Sequence, residues 1–164
     1  MKPVYLYGFM GSGKSYTGRK AASETGLCFV DLDEYITKRE GINIPEIFKT
    51  RGEKFFRSVE LKALQEVESD IISLGGGALT NPETALYAKE HAIVIFLNTP
   101  FDICFERIKN DGDDKRPNAA GKSKEELFTL YKVREEHYKK TADYILTDER
   151  EIIDLIGRKK HDYL

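Results

Sequence analysis

Gly8-Phe9-Met10-Gly11-Ser12-Gly13-Lys14-Ser15 constrains this chain more than any other segment. It fits the pattern G-x-x-x-x-G-K-[ST], with an apolar run, Val4 to Tyr7, directly before it and a helix-compatible stretch after it. Glycines let successive backbone N–H groups converge on phosphate oxygens, and a helix starting at the loop's end adds the positive end of its dipole. Lys14 then reaches the β- and γ-phosphates, and the Ser15 hydroxyl can ligate Mg²⁺. A dinucleotide fingerprint does not fit, because Gly11-x-Gly13 is followed by Tyr16 where a third glycine is needed. A glycine-rich turn with an unrelated lysine is the plain alternative; strand, loop and helix in register favour a nucleoside triphosphate site.

The remainder repeats the same alternation. Short β-branched and aromatic runs at Val4 to Tyr7, Leu27 to Val30, Asp70 to Leu74, Ala92 to Asn98 and Tyr144 to Thr147 are separated by longer helical patterns. That alternation predicts an α/β protein with a five-stranded parallel sheet flanked by helices. Asn81-Pro82 and Thr99-Pro100 read as helix starts with proline in the first helical position, and Ser123 with Glu126 as a capping box opening a helix to about Ala142. Lys109 to Lys122 carries glycines and charges without apolar periodicity and reads as a mobile surface loop. With 164 residues and 40% hydrophobic content, one domain spanning 1–164 is expected.

Composition removes other classes. Against 26 Lys and Arg stand 28 Asp and Glu, so no broad basic field is available for a nucleic acid. Apolar stretches are far below the roughly 20 residues of a membrane span, and no secretory leader is visible, so a cytoplasmic protein is expected. Cys28 and Cys104 lack C-x-x-C spacing and read as buried free thiols in a reducing compartment.

Asp31-Leu32-Asp33 ends the second strand, where alternate side chains share a direction. Asp31 could hold Mg²⁺ through water and Asp33 accept a proton from an attacking hydroxyl; alternatively Asp33 caps the helix that begins at Glu34. In Phe48-x-x-Arg51-Gly52-Glu53-x-x-Phe56-Arg57-x-x-Glu60 an arginine among aromatic rings could grip a carboxylate, yet the spacing equally suits an amphipathic helix with Arg57 a surface cation. Gly75-Gly76-Gly77 follows the third strand and permits close backbone approach to a ligand, or a tight turn. That strand lacks the terminal Asp that often serves a metal, which places more weight on Asp31. Arg107, Arg116 and Arg134 surround the long loop, where an arginine closing over ATP could stabilise the transferred phosphoryl group; for each alone, solvated surface charge is the default reading.

Taken in order, the glycine loop from Gly8, Asp31-Leu32-Asp33, Arg51-Gly52-Glu53-x-x-Phe56-Arg57-x-x-Glu60, Gly75-Gly76-Gly77, Arg116-Pro117 and Arg134-x-x-x-Tyr138 resemble the shikimate kinase family over nearly the whole chain. The resemblance implies a three-layer P-loop kinase fold, with a substrate-binding helical segment at about 33–61 and a lid at about 109–123. It implies phosphoryl transfer from MgATP to the 3-hydroxyl of shikimate, in aromatic amino-acid biosynthesis. By that similarity Gly11, Ser12, Gly13, Lys14, Ser15 and Tyr16 hold ATP, with Arg116 on its phosphates and Arg107 and Arg150 beside adenine. Ser15 and Asp31 serve Mg²⁺. Asp33 is the base, while Arg57 and Arg134 with Gly76 and Gly77 bind shikimate, under Phe48, Phe56 and Pro117. Lys14, Asp33 and Arg116 form the implied catalytic set, in a monomer. The usual Arg-Pro-Leu-Leu of the lid is replaced here by Arg116-Pro117-Asn118-Ala119. A related small-molecule kinase, such as a gluconate kinase, would share the loop and lid. A GTPase is disfavoured: N-K-x-D is absent, and the only D-x-x-G, Asp154 to Gly157, falls inside a helical pattern.

Overall fold

The computed structural model describes residues 1–111, 119 and 121–162. Val4–Tyr7 forms strand β1, whose period of two divides the interior: Val4 and Leu6 bury on one side, Tyr5 and Tyr7 on the other. Cover on both faces is why the strand reads as an unbroken apolar run. Four strands join it, all in parallel: β2 (Phe29–Asp31), β3 (Ile71–Ser73), β4 (Ile93–Leu97) and β5 (Tyr144–Leu146), in the order β2-β3-β1-β4-β5. The expected five-stranded sheet is therefore present, with ends trimmed by a residue or two and β2 shifted toward Asp31.

Helices α1 (Lys14–Thr25) and α8 (Glu149–His161) cover the Val4 face, where Ala21, Ile152, Ile153 and Ile156 are buried against Leu6 and Ile95. Each of these isoleucines contributes roughly 1.5–3 kcal/mol of burial. The Tyr5 face carries α2 (Leu32–Glu40), α3 (Ile44–Arg51), α4 (Glu53–Glu66), α5 (Pro82–His91), α6 (Phe101–Asp111) and α7 (Lys124–Thr141). Helix, sheet and helix make the three layers. Since β1 lies between β3 and β4, the chain leaves the sheet centre in both directions, and the loops after β1, β2 and β3 open at one carboxyl edge, where such folds bind ligands.

Local chemistry sets the helix ends. Asn81 Oδ1 accepts from Glu83 N with Pro82 opening α5, and Ser123 Oγ accepts from Glu126 N, both as the sequence predicts. At Gly41, φ +72 ends α2, and Asn43 Oδ1 capping Glu46 N with Pro45 in the first turn starts α3.

Four expectations are corrected. Thr99 does not cap α6: the Pro100 carbonyl accepts from Ile103 N and Cys104 N, the helix begins at Phe101, and Thr99 Oγ1 donates instead to Ser12 O. Asp33 does not cap α2 either; Asp31 does, accepting from Glu34 N. The loop expected from Lys109 begins later, because α6 continues through Asp111. Cys104 is buried, but Cys28 is exposed, since it precedes the sheet-edge strand β2 and only its backbone is engaged, its N–H on Asp70 Oδ2. Arg116 and Pro117 lie outside the described residues. Ala119, from the departing lid sequence, is buried against the core on the Tyr5 side.

Candidate active site

The loop between β1 and α1 owes its shape to close approach. A Cβ on Gly11, where φ is +77, would lie 2.6 Å from Cys104 O, and one on Gly8 would lie 2.7 Å from Leu97 O. Gly13 caps α1 with φ +90, leaving the helix N-terminus open toward the loop. Among the described residues Ser12 Oγ is buried without a partner, and the Ser12 carbonyl accepts from Thr99 Oγ1. Arg107 Nη1 reaches from α6 to Gly11 O at 3.0 Å. Gly11, Ser12, Gly13, Tyr16, Thr99, Arg107 and Thr147 line a cleft of about 550 Å³ beside the loop.

At the inner end of α1, Ser15 Oγ donates to Asp31 Oδ2 at 2.6 Å and lies 3.1 Å from Ser73 Oγ. Asp31 Oδ1 meanwhile accepts from Glu34 N, so one carboxylate joins the loop to the start of α2. Ser73 occupies the end of β3 where an aspartate was missing from the sequence pattern. A hydroxyl and a carboxylate side by side are oxygen donors of the kind Mg²⁺ takes while keeping several waters.

Asp33 sits in the first turn of α2, half-buried. Burial, reinforced by the Asp31 charge, pushes its carboxyl up to about 6, against the pull of Lys14 and Arg57. Its Oδ1 is buried without a partner among the described residues. Across a small cleft of about 240 Å³, lined also by Thr37, Ile44, Phe56 and Gly75, stand Arg57 and Glu60. Arg57 is not a surface cation. It is 9% exposed, donates from Nη1 to Glu60 Oε1 at 2.9 Å and pairs through Nη2 with Glu53 Oε1 at 3.2 Å. The Phe48 and Phe56 rings, 4.9 Å apart, both lie beneath its guanidinium. Glu60 is fully buried, and burial outweighs Arg57's attraction, raising it to about 7. Arg57 Nε and Glu60 Oε2 are likewise buried and unpartnered. Orphaned buried polar atoms are rare in folded proteins, and three of them, on Asp33, Arg57 and Glu60, border this one cleft.

The three glycines after β3 form the opposite wall. A Cβ on Gly75 would meet Glu60 Oε2 at 2.9 Å and Asp33 Oδ1 at 3.1 Å; on Gly77 it would meet Arg57 Nη2 at 2.2 Å and Arg134 Nη2 at 3.1 Å. Only hydrogen fits between the strand end and these side chains. Arg134, 6% exposed, arrives from α7 with its guanidinium over Phe9, 6.0 Å from the ring centre.

Lys14, Ser15, Asp31, Asp33, Arg57, Gly76, Gly77 and Arg134 are thus gathered at one edge of the sheet, and Tyr16 and Arg107 border the adjoining cleft. Arg150 is not. It projects from α8 into a separate groove and pairs with Glu24 and Asp154. Thr147 and Glu149 reach the cleft beside the glycine loop instead. The structure also adds Ser73, Thr99 and the paired role of Glu60, of which only Glu60 left a sequence signal, its position three residues after Arg57 on one helix face.

A Gly-x-x-x-x-Gly-Lys-Ser loop between strand and helix, a doubly wound parallel sheet and a small polar pocket lined by a buried carboxyl and a buried guanidinium define a P-loop kinase of the small-molecule class. The shikimate kinase family model matches residues 10–160. A shikimate kinase of Persephonella marina is 36% identical over 165 residues, covering 96% of this chain and 99% of its own, and one of Staphylococcus aureus is 40% identical over 142 residues, covering 85% and 80%. The solved shikimate kinase of Acinetobacter baumannii in complex with shikimate superposes with a TM-score of 0.88 at 30% identity, covering 99% of this chain and 94% of that one. The chain belongs to the shikimate kinase family.

Proposed function

We propose that the chain transfers the terminal phosphoryl group of ATP to the 3-hydroxyl of shikimate, giving ADP and shikimate 3-phosphate. The observation that carries this reading is the second pocket: Asp33, poised near 6, faces buried Arg57 across a volume suited to one small ring. Family membership selects shikimate over a linear acid such as gluconate.

In this reading the loop amides and Lys14 cradle the phosphates, and Arg57 and Arg134 receive the acceptor's carboxylate, for which buried guanidinium groups are well matched. Asp33 orients the attacking hydroxyl and takes its proton; with its carboxyl near 6 it is ionised at neutral pH yet a stronger base than an ordinary aspartate. Magnesium, held through Ser15 and Asp31, supplies neutralisation of the phosphate charge when bound. Phe48 and Phe56 cover the ring. Residues 33–61 act as the acceptor-binding segment, and the 109–123 segment, with Arg116, as the lid.

A coupled ADP-release assay with shikimate, gluconate and nucleoside monophosphates in parallel tests this. Turnover with shikimate alone, stopped by EDTA, is expected; turnover with gluconate and none with shikimate overturns the assignment.

A further inference from the structure

Tyr138 lies one turn beyond Arg134 on α7, 1% exposed, and its hydroxyl donates to the Gly76 carbonyl. The Arg134 guanidinium faces the same oxygen, its charge pulling against the effect of burial on that hydroxyl. A hydroxyl has one proton to donate, and a guanidinium has only donors. With its one proton on the Gly76 carbonyl, the Tyr138 hydroxyl turns its lone pairs to the Arg134 guanidinium beside it. The peptide bonds are all trans among the described residues, so the Gly77 N–H points opposite to the Gly76 carbonyl. Fixing that carbonyl on α7 aims the Gly77 N–H away from α7's tyrosine. Among the described residues that N–H has no acceptor. Arg134 Nη2 lies 3.1 Å from where a Gly77 Cβ would stand, so the guanidinium and this peptide stand side by side next to one hydroxyl.

Resting on the reading above, we propose that Tyr138 is a positioning residue of the acceptor site: its hydroxyl sets Arg134 and the Gly76–Gly77 peptide in the one relative arrangement that receives the acceptor's carboxylate end. Tyr7 provides a matched contrast. Its hydroxyl donates to the Tyr138 backbone carbonyl, which also accepts from Ala142 N within α7. It anchors the same helix to β1 through a helix carbonyl, whereas the Tyr138 hydroxyl bonds the glycine wall itself.

Tyr138→Phe preserves ring and packing and removes only the relay. Shikimate KM and Kd are expected to rise about tenfold, the effect of one misaligned buried hydrogen bond, with ATP affinity kept and kcat changed less than threefold. Tyr7→Phe, measured alongside, is expected to lower Tm while leaving shikimate affinity unchanged. Equal losses in both variants, or unchanged affinity in Tyr138→Phe, overturn the proposal. A measurement on the unmodified protein stands independently of either variant's folding: shikimate should slow exchange of the Gly77 amide, and ATP alone should not. An unaffected Gly77 amide overturns the proposal as well. Should the unmodified protein fail to turn over or bind shikimate, the functional reading itself falls, an outcome distinct from these.

Discussion

Replacing Asp33 by asparagine should stabilise the protein and stop its reaction at the same time. Its carboxyl is raised from 3.8 to about 6, first by burial and then by Asp31. At about 1.4 kcal/mol per tenfold change in proton affinity, the ionised group costs the folded state about 3 kcal/mol. A folded-state value above the unfolded one means that the folded protein holds the proton more tightly between pH 4 and 6. Stability from this group therefore falls as pH rises through that window and is fully lost above it. Asp33→Asn keeps the volume and removes the charge, so at pH 8 the variant should melt about 9 °C higher for a chain of this size. Near pH 4 wild type carries a protonated, neutral Asp33, and the difference should vanish. Turnover should drop by about 10²–10⁴ with nucleotide binding retained, and wild-type kcat/KM for shikimate should decline below about pH 6. Differential scanning fluorimetry at the two pH values and the ADP-release assay read these outcomes. A variant less stable than wild type at pH 8, or one that still turns over, would refute the chain of reasoning from burial to basicity.

Arg57→Ala leaves Glu60 fully buried without its cation, a change of about 3–5 kcal/mol; chemical denaturation at pH 8 should register this, and a loss smaller at pH 5, where Glu60 is protonated, distinguishes charge from packing. Gly11→Ala forces a Cβ against Cys104 O at φ +77, so ATP affinity should fall more than shikimate affinity; equal effects on both ligands would contradict this. A thiol reagent should modify one cysteine quickly in the native protein and two in denaturant, and Cys28→Ser should abolish the fast phase.

Much of this architecture is legible in the chain because local and global signals agree. The run before Gly8 is apolar at consecutive positions, as only a strand buried on both faces demands, and proline, asparagine and serine mark the starts of α5 and α7. Legibility ends where one residue has two possible partners. Asp31 and Asp33 share a residue type and a neighbourhood, and spacing could not decide which one closes the helix. Arg57 and Glu60 read as ordinary helical charges because burial depends on what α4 packs against, a long-range property. Arg150 came by resemblance alone, and its neighbours Glu24 and Asp154 draw it to another groove. Thr99 stands before a proline as caps do, yet the Ser12 carbonyl across the fold takes its hydroxyl.

The divided carboxylate of Asp31 has a mechanical consequence. One oxygen engages Ser15 on the phosphate side, and the other closes the first turn of α2, two residues from Asp33. The helix that carries Asp33 is thereby tied to the same carboxylate that meets Ser15 of the glycine loop. A displacement of Asp31 toward Ser15 would therefore be carried into the turn that holds Asp33, because a single planar carboxylate spans both contacts.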